Sequence, residues 1–182
     1  MEHHGPDYAP LERIPKPGHA RRDDEGERGY CSDSRAKILA LIELGVRTFI
    51  DLTAPADHMV PYESLLVELA QETGTQLRRI SMPVPDMSVP SSEEVMAKIM
   101  DVIRESITTG PAIYIHCWGG IGRTGTAVGC WLRECGLGPD EALQRVQHLY
   151  ATHMPKSKEA RYPESPQTPD QKDYIRGWNG SK

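Results

Sequence analysis

The stretch of residues 113–126, IYIHCWGGIGRTGT, constrains the fold of this chain more than any other part of the sequence. It reads as a short apolar strand, a glycine-rich turn and the beginning of a helix. Such a turn forms an anion site, because its N–H groups point inward and the helix dipole favours negative charge. The pattern therefore predicts a loop shaped to hold a phosphate group.

Two side chains in this loop indicate chemistry as well as anion binding. Cys117 opens the loop as a potential nucleophile, and Arg123 closes it with a planar guanidinium that matches two phosphate oxygens. Cysteine reacts as the thiolate, which the loop N–H groups, the helix N-terminus and Arg123 all favour. The same groups would hold the equatorial oxygens of a phosphoryl group in transfer. The alternative is a buried structural cysteine beside a glycine turn.

The pattern His116-Cys117-x-x-Gly120-x-x-Arg123-Thr124 matches the signature H-C-x-x-G-x-x-R-[ST]. The chain therefore resembles the cysteine-based protein phosphatases, which comprise tyrosine-specific and dual-specificity enzymes. The resemblance implies a phosphomonoesterase that needs neither metal nor cofactor, and a loop that binds phosphate, vanadate or sulfate. The residues implied in phosphate binding are Cys117, Trp118, Gly119, Gly120, Ile121, Gly122 and Arg123.

The resemblance also implies supporting roles for Thr124 and His116. The hydroxyl of Thr124 would stabilise the thiolate when Cys117 leaves the intermediate. His116 would order the loop and help to set the acidity of the thiol. A role of His116 as a metal ligand is disfavoured, because no partner stands at ligand spacing in the sequence.

A general acid must protonate the departing alkoxide or phenoxide, and Asp86 is our candidate for it. It lies on the proline-rich stretch 82–90, upstream of the nucleophile, and resembles the acid loop of these enzymes. Val84 stands where tyrosine-specific members usually have tryptophan. Two other aspartates compete for the role, but Asp51 is interpreted as a strand-end cap and Asp101 as a solvated residue on a helix.

Hydrolysis of a phosphocysteine requires a water molecule held in line with the P–S bond. Gln167-Thr168-Pro169-Asp170-Gln171 resembles the glutamine loop of tyrosine-specific phosphatases, which holds that water. Gln167 is the first candidate for this role and Gln171 the second. The alternative is a plain helix start at Thr168-Pro169-Asp170 that has no part in the chemistry.

Helices that alternate with short apolar strands predict an α/β fold with a mostly parallel sheet covered on both faces, as in protein tyrosine phosphatases. About four to five strands are expected. A single phosphatase domain is predicted over 31–182, after an irregular lead-in over 1–30. The predicted strands are 46–52, 76–81 and 112–115, with one or two more in 8–20. The predicted helices are 32–44, 61–73, 91–108, 124–135, 139–151 and 168–178, with a polar loop over 154–166.

The overall composition favours a soluble, cytoplasmic protein. Apolar residues make up 38% of the chain, and no run approaches the roughly 18 apolar residues of a membrane helix. The first residues lack the basic-then-apolar pattern of a signal peptide. The net charge of −5 is spread without blocks, so neither nucleic acid nor membrane insertion is expected.

The remaining cysteines, Cys31, Cys130 and Cys135, have neither disulfide nor zinc-ligand spacing. Cys130 is interpreted as a small apolar residue in a helix. The sequence leaves open whether any of the three protects an oxidised Cys117.

The favoured substrate is phosphotyrosine in proteins, with phosphoserine and phosphothreonine as further candidates. The alternative is the same chemistry on a small phosphomonoester such as a nucleotide, an inositol phosphate or a phosphoinositide. The loop interior carries no lysine, unlike that of many phosphoinositide phosphatases of this superfamily, which disfavours polyphosphorylated lipids. Trp118 either walls an aromatic ester or packs beneath the loop. A phosphate-binding module without activity and another cysteine-loop enzyme, such as a sulfurtransferase or an arsenate reductase, are the remaining classes.

Overall fold

A parallel sheet forms the centre of the molecule. The computed structural model describes residues 32–180 and contains β1 (Val46–Asp51), β2 (Arg78–Ser81) and β3 (Ala112–His116). The strand order is β2-β1-β3, and both pairings are parallel. The α/β class and the parallel sheet are confirmed. The sheet has three strands within the described part, fewer than the four to five expected; the strands predicted in 8–20 and the lead-in 1–30 lie outside it.

Helices cover both faces of this sheet. They are α1 (Ser32–Glu43), α2 (Glu63–Thr73), α3 (Glu93–Thr109), α4 (Gly122–Glu134), α5 (Pro139–His153), α6 (Lys156–Arg161) and α7 (Pro169–Gly177). Six of them lie where the sequence predicts a helix. The polar loop predicted over 154–166 is wrong, because α6 forms inside it. None of its side chains is buried, so it leaves no apolar pattern in the sequence.

The register of the strands brings the carboxyl ends of all three to one edge of the sheet. Asp51 at the end of β1 is aligned with Ser81 of β2 and with His116 of β3. The N–H of Leu52 donates to the carbonyl of His116 at 2.8 Å, and that of Met82 to the carbonyl of Asp51 at 2.8 Å. The segments that follow the strands therefore meet at the carboxyl edge, where open α/β sheets bind their ligands.

Two apolar clusters hold the helices on the sheet, because successive strand residues point to opposite faces. Ile50 packs on the side of α3, α4, α5 and α7, and Phe49 packs on the side of α1 and α2. Both side chains are buried, with 0% and 1% exposure respectively. Within residues 32–180, no helix is long and apolar enough to cross a membrane.

Small residues on α4 let α7 and the segment before it approach closely. A Cβ added at Gly129 would lie 2.8 Å from Cγ1 of Ile175, which is fully buried in α7. A Cβ added at Gly125 would lie 2.5 Å from Oγ of Ser165, and this hydroxyl donates to the carbonyl of Ile121 at 2.9 Å. The close approach brings the start of α7 beside the glycine-rich loop.

Candidate active site

The loop between β3 and α4 surrounds the thiol of Cys117, which is buried with 5% exposure. Its Sγ accepts a hydrogen bond from the N–H of Gly120 at 3.3 Å and another from Oγ1 of Thr124 at 3.2 Å. Gly120 has a φ of +67°, a left-handed conformation that glycine adopts without steric penalty. Both hydrogen bonds favour a negatively charged sulfur, which fits the role expected of Thr124.

The guanidinium of Arg123 lies buried at the start of α4, with 2% exposure. Its Nη1 donates to Oδ2 of Asp57 at 2.5 Å, to the carbonyl of Val84 at 3.0 Å and to that of Leu52 at 3.4 Å. Within the described residues, the buried Nε and Nη2 donate no hydrogen bond, although Nη2 forms an ion pair with Asp86. One edge of the guanidinium is thus fixed by the protein, while the other edge carries two donors that suit two oxygens of an anion and is in contact with a half-exposed carboxylate.

Asp57 is a residue of the candidate site that sequence analysis missed. Its side chain is 4% exposed and also accepts a hydrogen bond from the N–H of Ala54 at 3.0 Å. Burial alone would lower the pKa of Arg123, but Asp57, Cys117 and Asp86 raise it, so the side chain stays charged. No motif marks Asp57 in the sequence. Its position in a short 3₁₀ turn after β1 places it at the carboxyl edge of the sheet.

The predicted acid loop lies over this guanidinium. Oδ1 of Asp86 is 2.9 Å from Nη2 of Arg123, and the Asp86 side chain is 45% exposed. Val84 anchors the loop with a buried side chain and an N–H that donates to the carbonyl of Leu52 at 3.1 Å. The predicted acid and nucleophile are thus brought to the same guanidinium.

Asp51 and Asp101, the two aspartates that compete with Asp86 for the role of general acid, lie in different environments. Asp51 is buried and accepts hydrogen bonds from Nε and Nη2 of Arg79 at 2.9 and 2.7 Å, and from Oγ1 of Thr53 at 2.6 Å. Asp101 is exposed on α3 and pairs with Arg104. Asp51 therefore takes part in a buried ion pair, whereas Asp101 faces solvent.

The two candidate glutamines have different surroundings. The side-chain Oε1 of Gln171, which is fully buried, accepts from the N–H groups of Gln167 and Thr168 at 3.1 and 3.2 Å. Its Nε2 donates to the carbonyl of Ser88 in the acid loop at 3.0 Å. A Cβ added at Gly122 would lie 2.9 Å from Oε1 of Gln167 and 2.9 Å from both amide atoms of Gln171, so both side chains reach the start of α4. They differ in that the amide of Gln171 is occupied in joining the acid loop to α7.

His116 is embedded in a polar network behind the nucleophile. Its Nε2 lies 2.6 Å from the hydroxyl of Tyr62, and its Nδ1 lies 4.0 Å from Oδ1 of Asp51. Burial lowers the pKa of His116, although Asp51 opposes the shift. Burial alone would raise the pKa of Asp51, but His116 and the hydrogen bonds from Thr53 and Arg79 lower it. Burial therefore favours the neutral imidazole, whereas Asp51 favours the charged one.

Two further side chains lie at the outer side of the loop. Trp118 is 50% exposed, so it does not pack beneath the loop. Lys158, which sequence analysis missed, donates from Nζ to the carbonyl of Gly119. Burial lowers the pKa of this half-buried lysine, while the charge of Cys117 opposes the shift.

Among the other cysteines, Cys130 is fully buried, and its burial raises the pKa of the thiol. Cys31 lies outside the described residues.

We expect the substitution Asp57→Asn to weaken both the fold and the site. Removing one partner of a buried ion pair costs about 3–5 kcal/mol, and the guanidinium would lose its fixed orientation. Urea unfolding should give a lower free energy of unfolding, and kcat/KM for p-nitrophenyl phosphate should fall about tenfold or more. The control is Asp101→Asn, which removes an exposed carboxylate. Wild-type stability and turnover in Asp57→Asn would mean that the ion pair does not position Arg123.

Comparisons with known proteins point to one superfamily. The putative tyrosine phosphatase 067L of Invertebrate iridescent virus 3 is 27% identical over 151 residues, which are 80% of this chain and 58% of the viral protein. The crystal structure of Tk-PTP in the active form is 26% identical with a TM-score of 0.55, over 78% of this chain and 84% of that one. The core catalytic domain of the PP-IP phosphatase SIW14 from S. cerevisiae is 16% identical with a TM-score of 0.54, over 81% and 76% of the two chains.

A family model extends this likeness over most of the chain. The model describes the DSP-PTPase phosphatase domain of Swiss Army Knife proteins, PTP-SAK, and it matches residues 28–175. That match contains the glycine-rich loop, the acid loop and both glutamines. The chain therefore belongs to the PTP-SAK family of phosphatase domains, within the superfamily of protein tyrosine and dual-specificity phosphatases.

Proposed function

We propose that this phosphatase hydrolyses phosphomonoesters through a phosphocysteine at Cys117, with phosphotyrosine in proteins as the favoured substrate and phosphoserine and phosphothreonine as further ones. The observation that carries the proposal is the Arg123 guanidinium. Its Nη1 is fixed by Asp57, while its buried Nε and Nη2 donate no hydrogen bond within residues 32–180, and Nη2 forms an ion pair with the half-exposed Asp86. Two parallel donors next to a thiol suit a phosphoryl group that is both bound and transferred.

In the first step the Cys117 thiolate attacks phosphorus. A P–S bond forms, the P–O bond to the leaving group breaks, and its electron pair stays with the leaving oxygen. Asp86 donates a proton to that oxygen. The closeness of Asp86 to Nη2 of Arg123 supports this role, because the acid then lies beside the group that holds the equatorial oxygens.

In the second step water attacks phosphorus and the P–S bond breaks. Asp86, now a carboxylate, accepts the proton of the water, and the side chain of Gln167 orients that water. The departing thiolate is stabilised by the hydroxyl of Thr124 and by the N–H of Gly120. Gln171 is less suited to hold the water, because its amide already bonds Gln167, Thr168 and Ser88.

The exposed indole of Trp118 supports an aromatic ester. A half-exposed aromatic ring beside the loop offers a face for the ring of phosphotyrosine.

A second candidate substrate is a small phosphomonoester such as an inositol phosphate. Lys158 near the loop and the likeness to the PP-IP phosphatase SIW14 support it. An inactive binding module fits less well, since Cys117, Arg123 and Asp86 are all present. The cytoplasmic location stays a prediction.

The substitution Cys117→Ser should abolish turnover while anion binding persists. A serine hydroxyl is a far weaker nucleophile than a thiolate at neutral pH, so hydrolysis of p-nitrophenyl phosphate should fall at least about a thousandfold. Vanadate should still raise the thermal unfolding temperature of the variant. The control is Cys135→Ser, which should retain activity. Substantial turnover by Cys117→Ser would exclude a phosphocysteine at this position.

The substitution Asp86→Asn should reveal the general acid through the leaving group. An acid contributes typically ~10²–10⁴-fold where the leaving oxygen needs a proton. We therefore expect kcat for phenyl phosphate to fall much more than kcat for p-nitrophenyl phosphate, whose phenolate leaves readily. Asp101→Asn serves as the control. Equal losses for the two esters would assign the proton to another group.

A parallel hydrolysis panel should rank the substrate classes. Phosphotyrosine and phosphothreonine peptides, a nucleoside monophosphate and inositol phosphates would be compared by kcat/KM. We expect the phosphotyrosine peptide to rank first, and Trp118→Ala to reduce its kcat/KM more than that of the phosphothreonine peptide. A clear lead for an inositol phosphate would instead establish the second candidate.

A further inference from the structure

Lys158 reaches the glycine-rich loop from outside the motif. It lies on the short helix α6, and its Nζ donates to the carbonyl of Gly119. The side chain is half-buried, and it interacts electrostatically with Cys117. A lysine usually keeps its ammonium in water. The half-burial of Lys158 and its hydrogen bond to a loop carbonyl therefore call for a specific explanation.

The peptide group that Lys158 contacts is the one that faces the nucleophile. The carbonyl of Gly119 and the N–H of Gly120 belong to the same planar peptide and point in opposite directions. That N–H donates to Sγ of Cys117 at 3.3 Å. The ammonium therefore lies at the negative end of the peptide dipole and the sulfur at its positive end, and the two hydrogen bonds reinforce each other.

Without the contact from Lys158, the Gly119–Gly120 peptide could rotate easily. It is flanked by two glycines, so no Cβ opposes its reversal, and Gly120 already has a φ of +67°. A reversed peptide would turn the carbonyl oxygen toward the thiolate, which is electrostatically unfavourable. A cation on the outer side favours the orientation that directs the N–H to sulfur.

The position of α6 allows Lys158 to hold this peptide. The N–H groups of Lys158 and Glu159 donate to the carbonyl of Pro155 at 2.9 and 3.0 Å, and the hydroxyl of Tyr150 donates to the carbonyl of Tyr162 at 2.6 Å. The first two bonds form the first turn of α6, and the third ties its C-terminal end to α5. Cε of Met154, just before it, lies 3.7 Å from the position of a Cβ added at Gly120.

We propose that Lys158 is a positioning residue that fixes the Gly119–Gly120 peptide with its N–H toward Cys117 and thereby stabilises the thiolate. This inference rests on the proposed function, since it presupposes that Cys117 reacts as an anion. It adds a residue from outside the signature to the group that activates the nucleophile.

The test is the pH profile of Cys117 alkylation by iodoacetamide, followed on the peptide that contains Cys117 by mass spectrometry. Iodoacetamide is neutral, so its approach does not depend on the charge of Lys158. In Lys158→Met and Lys158→Gln the midpoint of the profile should rise by about one pH unit, a tenfold loss of thiolate below the midpoint. Lys158→Arg should restore at least half of the shift. Arg123 and Tyr114 also interact electrostatically with Cys117 and are unchanged in all variants.

The matched control is Lys156→Met on the same helix. Lys156 is 83% exposed and pairs with Glu159, so its loss should leave the midpoint unchanged. A wild-type midpoint in both neutral Lys158 variants would overturn the inference, even with full phosphatase activity. So would an equal shift in Lys156→Met, which would indicate an effect of net charge alone. A wild-type enzyme that neither alkylates preferentially at Cys117 nor hydrolyses p-nitrophenyl phosphate would instead contradict the proposed function.

Discussion

The buried guanidinium of Arg123 is the constraint on which the rest of the site depends. A charge removed from water needs a partner and full hydrogen bonding, and the cost of failure is several kcal/mol. Asp57 supplies the opposite charge, and the carbonyls of Leu52 and Val84 supply further acceptors. These groups come from two segments, since Leu52 and Asp57 follow β1 and Val84 follows β2. The requirement to satisfy one cation therefore fixes the acid loop relative to the nucleophile.

Sequence analysis predicted the elements whose signals are local. Apolar periodicity and capping residues indicated six of the seven described helices, and glycine marked the ends of α1, α2 and α4. Helix α2, for example, ends at Thr73, and the next residue, Gly74, has a φ of +63°. Helix α6 escaped because it buries no side chain. Apolar periodicity reflects burial, so a helix that buries no side chain shows no such pattern.

The residues of the site likewise divide into those that a local sequence pattern predicts and those that depend on distant parts of the chain. The residues of the signature are contiguous, so their types and spacing alone predict a loop around Cys117. Asp57 is separated from Arg123 by 66 positions, and Lys158 from Gly119 by 39. Only the parallel register and the position of α6 bring these partners together. A residue that acts by orienting another has no motif of its own, which explains why both were missed.

The charges around the loop also constrain how a substrate enters. Nη1 of Arg123 is neutralised by Asp57, but Nη2 lies beside the half-exposed carboxylate of Asp86. A phosphate dianion that binds Nε and Nη2 would compete with that carboxylate for the guanidinium. The Asp86 side chain would then have to give up its ion pair with Arg123. The buried Val84 and the Gln171–Ser88 hydrogen bond would hold the rest of the acid loop in place during that exchange.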